Sequence, residues 1–511
     1  MKKTIKRVAA LALSLVTLAG SSMMVHAETG YTYGYDYWGD VQYSPDAYKT
    51  IAVYTDVELG LDKKLNTPQG LFVLGQSIFI CDTGNNRILE LNRKDEDTIE
   101  LVRVIDHISG NVANKEFQSP TDISVSEDGY MYIADKNNNR IVKLDYNGNY
   151  VMEFTKPTDA TFDQSLSFLP SKIAIDTAGR VYCVATNANK GLIKYENDGT
   201  FSGFVGATPV TYDWTDYVWK KLSTQEQRAK MESFVPTEYD NVFMDYEGFM
   251  YACTTNVSEK DLDSGTANPV RRLNMMGNDI LVRNGHWYII GDLYWGSGGG
   301  YEGPSLFTDV TAMDNDVFFC LDKTRGRIFG YDDQGRMLYC FGGNGNMDGY
   351  FKQPSALEHM GHDLLVLDSL DNSLTLFTPT EYGTKIYDAI EQFQDGAYEE
   401  SGASWQDVMN MNGNYDLAYI GIGRSLLRQK EYHKAMEYFK LKWDDDNYSK
   451  AFKQYRKEWV EDHIVIIFTV VILVLCVPLV IGKVKAVKEE IDRADIFREG
   501  VEGRNENTGE K

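Results

Sequence analysis

The chain has 511 residues, of which 43% are hydrophobic and 25% charged, and a formal net charge of −24. This composition excludes a disordered chain, and an acidic balance without a basic face excludes a nucleic-acid-binding module. Six cysteines in a chain of this length exclude a disulfide-built scaffold.

In chain order, Lys2, Lys3, Lys6 and Arg7 precede an apolar stretch at 8–19, and Val25 and Ala27 take the −3 and −1 places before Glu28. Residues 1–27 therefore read as a secretory signal peptide. An aromatic-rich leader, 28–47, follows. Its tyrosines at 31–37 and Trp38 make it either a contact surface or a simple lead-in to the fold.

From 48 to 380 one pattern recurs six times. A proline is followed about a dozen residues later by a short apolar strand ending in Asp or a near-equivalent, then a polar turn and a second apolar strand. Pro68, Pro120 and Pro170 lie 52 and 50 residues apart, Pro304 and Pro354 lie 50 apart, and Pro236 stands between the two groups. Asp82 and Arg87, Asp135 and Arg140, and Asp322 and Arg327 keep a spacing of five. A period of about 40–50 residues is that of a four-stranded propeller blade, which cannot bury its own faces and must stack on neighbours. The fold class is mainly β: a six-bladed β-propeller followed by a short α-helical region and a single transmembrane helix. The strand at 48–54 has no blade in front of it and is expected to complete the sixth blade and close the ring.

Two insertions interrupt the spacing. The first, 207–234, carries Trp214, Tyr217 and Trp219; the second, 276–303, carries Trp287, Tyr288, Asp292, Tyr294, Trp295 and Tyr301 among many glycines. Aromatic rings on glycine-rich loops stack on sugar faces or bury against a protein partner. The candidate contact residues are Trp287, Asp292, Tyr294, Trp295 and Tyr301, with Trp214 and Trp219 from the first insertion.

Region 384–462 is helical in pattern. Tyr415, Tyr419, Ile422, Leu426 and Leu427 recur at three- and four-residue steps, as do Tyr432, Ala435, Met436 and Phe439. Residues 464–481 are 18 uncharged apolar positions, enough for a transmembrane helix with help from the flanks. Residues 482–511 then form a polar tail. The signal peptide places the propeller outside the cytoplasm and the tail inside, in a single-pass protein of the cell membrane.

The D-x-x-N-N-R-I element, seen as Asp82, Asn85, Asn86, Arg87 and Ile88 and again as Asp135, Asn138, Asn139, Arg140 and Ile141, resembles that of the NHL-repeat propellers. The fifth copy departs from it, with Arg325 and Gly326 in place of the asparagines. The helical pair resembles a tetratricopeptide repeat (TPR), on Tyr419, Ile422, Gly423, Tyr432, Ala435 and Phe439, but lacks the closing proline. These resemblances imply a binding module: an extracytoplasmic scaffold, accessory to a membrane complex of envelope or transport type, with carbohydrate as a possible ligand. Catalysis is the less favoured reading, and the alternative is a lactonase- or lyase-like propeller acting on a sugar-derived or other small substrate. No cofactor or metal is expected. The four cysteines Cys81, Cys183, Cys253 and Cys320 fall on one interior strand of four blades and read as small buried hydrophobes. The repeated Asp–Arg pairs read as structural.

Overall fold

In the computed structural model the described residues are 32–159, 162, 164–186, 188, 190–206, 238–293 and 303–506, with side chains described as far as 498. They fall into two compact units, one ending at Gly421 and one beginning at Ile422. The signal-peptide reading of 1–27, the whole first insertion and residues 294–302 of the second lie outside the described residues.

The second repeat shows why a blade forms. Its strands are Pro120–Val125, Met131–Asp135, Arg140–Leu144 and Tyr150–Phe154, antiparallel and adjacent in chain order. Successive residues of a strand point to opposite faces. Met131, Ile133, Val142 and Leu144 therefore enter one core with Phe79, Ile88 and Ile105 of the preceding repeat. Tyr132, Ala134 and Ile141 enter another with Ile173, Val181 and Tyr195 of the following one. Each large side chain so buried contributes about 1.5–3 kcal/mol, and no blade holds its faces dry alone.

The other blades repeat the plan. The first is Gly70–Leu74, Ser77–Asp82, Arg87–Arg93 and Ile99–Ile105, and the third Pro170–Ile175, Val181–Ala185, Leu192–Tyr195 and Phe201–Val205. The fourth has three described strands, Asn241–Met244, Met250–Cys253 and Val270–Leu273. The fifth is Phe307–Ala312, Phe318–Asp322, Arg327–Tyr331 and Met337–Gly342, and the sixth Pro354–Met360, Asp363–Asp368 and Ser373–Pro379. Tyr48–Tyr54 pairs with Ser373–Pro379 and supplies the missing fourth strand, so the ring closes as expected. The first strand of each blade borders the first strand of the next, all the way round, and these six strands wall a central channel.

The Asp–Arg spacing has a structural use in two blades. Asp82 accepts from the Asn66 backbone N–H at 2.8 Å, the Asn85 amide at 2.8 Å and Arg87 Nε at 2.7 Å. Asp135 repeats this with Gln118, Asn138 and Arg140. One carboxylate thus ties the incoming loop to the hairpin turn. Asn86 and Asn139 close those turns at φ +57°, a conformation asparagine tolerates better than most side chains.

The leader also has structure. Thr32–Tyr35 and Val41–Ser44 form a hairpin, and its first strand lies against Met337–Gly342 through Tyr33 and Cys340. The fifth sheet therefore has six strands.

Within the first unit, helices Glu381–Gln394 and Tyr398–Met411 follow the sixth blade. Thr380 caps the former through the Gly383 N–H at 3.3 Å. Tyr387, on the buried face of that helix, shares its hydroxyl with Tyr48 at 2.7 Å and with Tyr339. The helix Asp416–Arg428 contains the boundary between the units. In the second unit Gly423 lies so close to Phe439 of helix Tyr432–Leu441 that a Cβ there would come within 2.6 Å of the ring. The last helix, Asp445–Glu506, is long and apolar enough to cross a membrane, with a mean hydropathy of 3.5 in its most apolar stretch and none of that stretch buried. Pro478 lies inside it.

Candidate functional site

The channel site is built by strand register. In every blade the inner strand has one residue opposite the position just before the strand-end Asp or its equivalent. These are Gly70, Asp122, Lys172, Asn241, Asp309 and Ala356, facing Cys81, Ala134, Val184, Cys253, Leu321 and Leu367. Six equivalent positions form one layer around the axis. Four are polar and two are small. Glu358, two residues beyond Ala356 on the same strand, adds a third carboxyl.

These groups are buried and mostly paired. Asp122 accepts from the Ile173 N–H at 2.8 Å and stands 3.6 Å from the Lys172 ammonium. Asp309 accepts from the backbone N–H of Val310 at 2.8 Å and of Leu357 at 2.9 Å, and from the Asn241 amide. Asn241 is aligned by the Val242 N–H at 2.6 Å. Thr311 donates to Glu358 at 3.3 Å and bonds His359 Nδ1 at 2.8 Å.

Burial sets the charges. It pushes Asp122 up to about 6, against the pull of Lys172. It raises Asp309 as well, opposed by Lys172 and the hydrogen bonds. Glu358 is raised well above the usual carboxylate range by burial, then by Asp309 and Asp122, which favours its protonated form. Burial pulls Lys172 down, but Asp122 and Asp309 outweigh it and hold the ammonium charged. His359 is lowered to about 4, chiefly by burial, and is neutral. One site thus holds an acid, a cation and carboxylates poised apart, the arrangement that acid–base chemistry uses. A pocket of about 720 Å³ opens onto it, lined by Asp122, Lys172, Asn241, Asp309, Glu358 and His359 among others.

Among the described residues no group of three or more His, Cys, Asp and Glu has the geometry to hold a metal ion. Lys172 lies among the carboxylates where a cation would otherwise go, and its positive charge makes this set a poor fit for a metal of the lactonase kind.

The residues singled out from the sequence lie elsewhere. Trp287 is half-buried, its ring 5.2 Å from that of Tyr35 and packed against Gly39. Its Nε1 is buried without a hydrogen-bond partner among the described residues. Asp292 is buried, with its carboxylate taken by Tyr33 at 2.9 Å, by Tyr35 and by Arg327 at 2.6 Å. Tyr294, Trp295, Tyr301, Trp214 and Trp219 lie outside the described residues. The sequence reading selected none of Asp122, Lys172, Asn241, Asp309 and Glu358. The available signal was Pro120 to Asp122 and Pro170 to Lys172, where one place in an interior strand turns ionisable in successive copies. Cys81, Cys183, Cys253, Cys320 and Cys340 are buried and free, and burial raises all five thiols, as befits packing residues.

No family model matches the chain, so the NHL resemblance has no family assignment behind it. No curated protein matches it either. Among solved structures the chain is similar to a streptogramin B lyase, at 12% identity over 66% of this chain and 100% of that one, with a TM-score of 0.38. It is similar to a virginiamycin B lyase from Staphylococcus aureus, at 12% identity over 62% and 81%, with a TM-score of 0.36. It is similar also to a putative gluconolactonase, at 10% identity over 68% and 98%, with a TM-score of 0.38. The expectation that catalysis is the less favoured role is overturned. This chain's own channel gathers Asp122, Asp309 and Glu358, buried carboxyl groups of the kind catalysis uses, beside the ammonium of Lys172.

Proposed function

We propose that the chain is a membrane-anchored propeller enzyme whose channel carries out acid–base chemistry of the lyase kind on a small extracytoplasmic substrate. One observation carries the reading: Asp122, Lys172, Asn241, Asp309 and Glu358, from five blades, line one pocket of about 720 Å³. In this reading Lys172 donates to a substrate carbonyl and stabilises the negative charge that develops on it. Asp122, whose pKa of about 6 suits a base near neutrality, takes the proton from the adjacent carbon. A carbon–oxygen bond then breaks, and the leaving oxygen takes the proton of Glu358. Asn241 and the Val310 and Leu357 N–H groups hold Asp309 in place beside Lys172. The propeller faces the outside and residues 482–511 the cytoplasm, on the strength of the signal-like segment 1–27. The NHL-like turns and the TPR-like helical pair belong to this reading as the frame of the site and as a surface for a membrane partner.

The test is turnover by the detergent-solubilised full chain on a panel of cyclic esters and sugar lactones bearing a leaving oxygen β to the carbonyl. Elimination is read by the absorbance of the conjugated product. Wild type should turn over at least one member, and Lys172→Met and Glu358→Gln should each lose the activity while keeping the folded spectrum. Wild-type rates in both variants, or no turnover across the panel, would overturn the reading.

A further inference from the structure

Thr311 sits on the inner strand of blade five, fully buried, between two consecutive residues of blade six. Its hydroxyl lies 3.3 Å from Glu358 Oε2 and 2.8 Å from His359 Nδ1. Glu358 belongs to the channel cluster, and His359 lines the pocket and lies edge-on to Phe243, with ring centroids 5.9 Å apart. A hydroxyl has one proton to give, so it cannot donate to both neighbours. When Glu358 is ionised, Thr311 donates to it and must accept from an Nδ1–H of His359. When Glu358 is protonated, its O–H donates to Thr311, which then donates to a bare Nδ1, and His359 carries its proton on Nε2.

We propose that Thr311 is a positioning residue that couples the protonation of Glu358 to the tautomer of His359 and so forms a proton relay between these two groups of the channel pocket. The relay balances. Glu358 passes its proton to the Thr311 oxygen, Thr311 passes its own to His359 Nδ1, and the imidazolium loses the Nε2 proton to solvent. Glu358 ends ionised, Thr311 unchanged in composition and His359 neutral in the other tautomer. The charges around the relay agree with it. Asp309, Asp122 and Lys172 all act on Glu358, and burial with the two aspartates favours its protonated form. Burial keeps His359 neutral, with Asp314 opposing and His362 assisting. A valine at 311 would fill the same space and supply no proton.

The inference refines the proposed channel chemistry, but its test needs no substrate. In the full chain in detergent, with histidine labelled by nitrogen-15 and the His359 signals assigned by their loss in His359→Asn, the tautomer is followed as pH rises. Wild type and Thr311→Ser should show His359 passing from the Nε2–H to the Nδ1–H form in one step. Glu358→Gln and Thr311→Val should lose that step, each with the folded spectrum retained. A tautomer step that survives unchanged in Glu358→Gln or in Thr311→Val overturns the relay, as does a wild-type His359 that holds one tautomer throughout. Loss of the step in Thr311→Ser as well would assign Thr311 a packing role and likewise overturn it. Failure of the enzyme reading would show as absent turnover with the tautomer step intact.

Discussion

Arg327 donates to Asp292 at 2.6 Å and leaves Asp322, the carboxylate five residues before it, to other partners. In the first two blades the equivalent arginine returns to its own aspartate. In the fifth, Asp322 is occupied by Ser305 Oγ at 2.6 Å and by the N–H groups of Leu306 and Thr324. The asparagine that bridges turn to aspartate elsewhere is Arg325 here, and that side chain reaches the Gly303 carbonyl. Arg327 is released to pair with Asp292, whose carboxylate also gathers the hydroxyls of Tyr33 and Tyr35. A degenerate repeat thereby clasps the N-terminal hairpin.

Asp292→Ala removes that clasp and leaves Arg327, itself largely buried, without its strong partner. Breaking a buried pair from one side costs about 3–5 kcal/mol. The unfolding midpoint should fall accordingly, and limited proteolysis should cut the hairpin turn near residues 36–40 before any blade. Equal proteolysis of variant and wild type would show that Tyr33 is held by sheet pairing alone.

The ring was legible because its signal is periodic: Pro68, Pro120 and Pro170 with Asp82 and Asp135 mark blade after blade, and the lone strand at 48–54 had only one place to go. The site was not, because its members are one per blade. Asp122 and Lys172 are 50 residues apart, and only closure of the ring makes them neighbours. The hairpin at 32–44 escaped for another reason. Its residues YTYGYDYW carry no break between apolar and polar faces, and its partner strand Met337–Gly342 lies some 300 positions on. Asp292 was read from the sequence as a ligand or partner contact, and the structure gives its carboxylate tyrosine and arginine partners from within the chain.

Asp122 fixes the sign of a pH effect. Burial raises it from 3.8 to about 6, so between those values the folded state binds a proton that the unfolded chain has lost. Stability from this group is full below the unfolded value and falls as pH rises through the folded one. A shift of about two units corresponds to roughly 3 kcal/mol. Asp122→Asn should match wild type near pH 4 and become relatively more stable as pH passes 6, in denaturant melts at both ends of the window. A gap that narrows as pH rises would mean that Lys172 outweighs burial and that the carboxylate is not raised.

Trp287 separates ligand surface from packing. Its ring packs at a tilt against Tyr35 and covers Gly39, which sits at φ +81° where a side chain would strike the indole. Trp287→Ala should therefore cost stability, on the order of 3 kcal/mol for a large ring lost from a packed site. A ring that serves a sugar or protein partner would instead lose about 1–3 kcal/mol of binding with the melt unchanged. Thermal melts and glycan binding measured on the same preparation distinguish the two, and an unchanged melt would return Trp287 to the contact surface.

The apolar stretch 464–481 predicts how the chain behaves in a membrane. Val471 lies near its middle and is about half exposed on the helix, with no protein over it. An arginine at the centre of a spanning helix costs about 2.5–3.5 kcal/mol on the scale set by cellular insertion. Val471→Arg should move a large share of the chain from the membrane fraction to the soluble fraction, while the same change at Val57, exposed in the turn after strand Tyr48–Tyr54, should leave the distribution untouched. Protease added to intact, wall-stripped cells should then digest the propeller of the wild type and spare a tag on the C-terminal tail. Digestion of the tag with the propeller protected would invert the orientation, and full retention of Val471→Arg in the membrane would mean that another part of the chain holds it there.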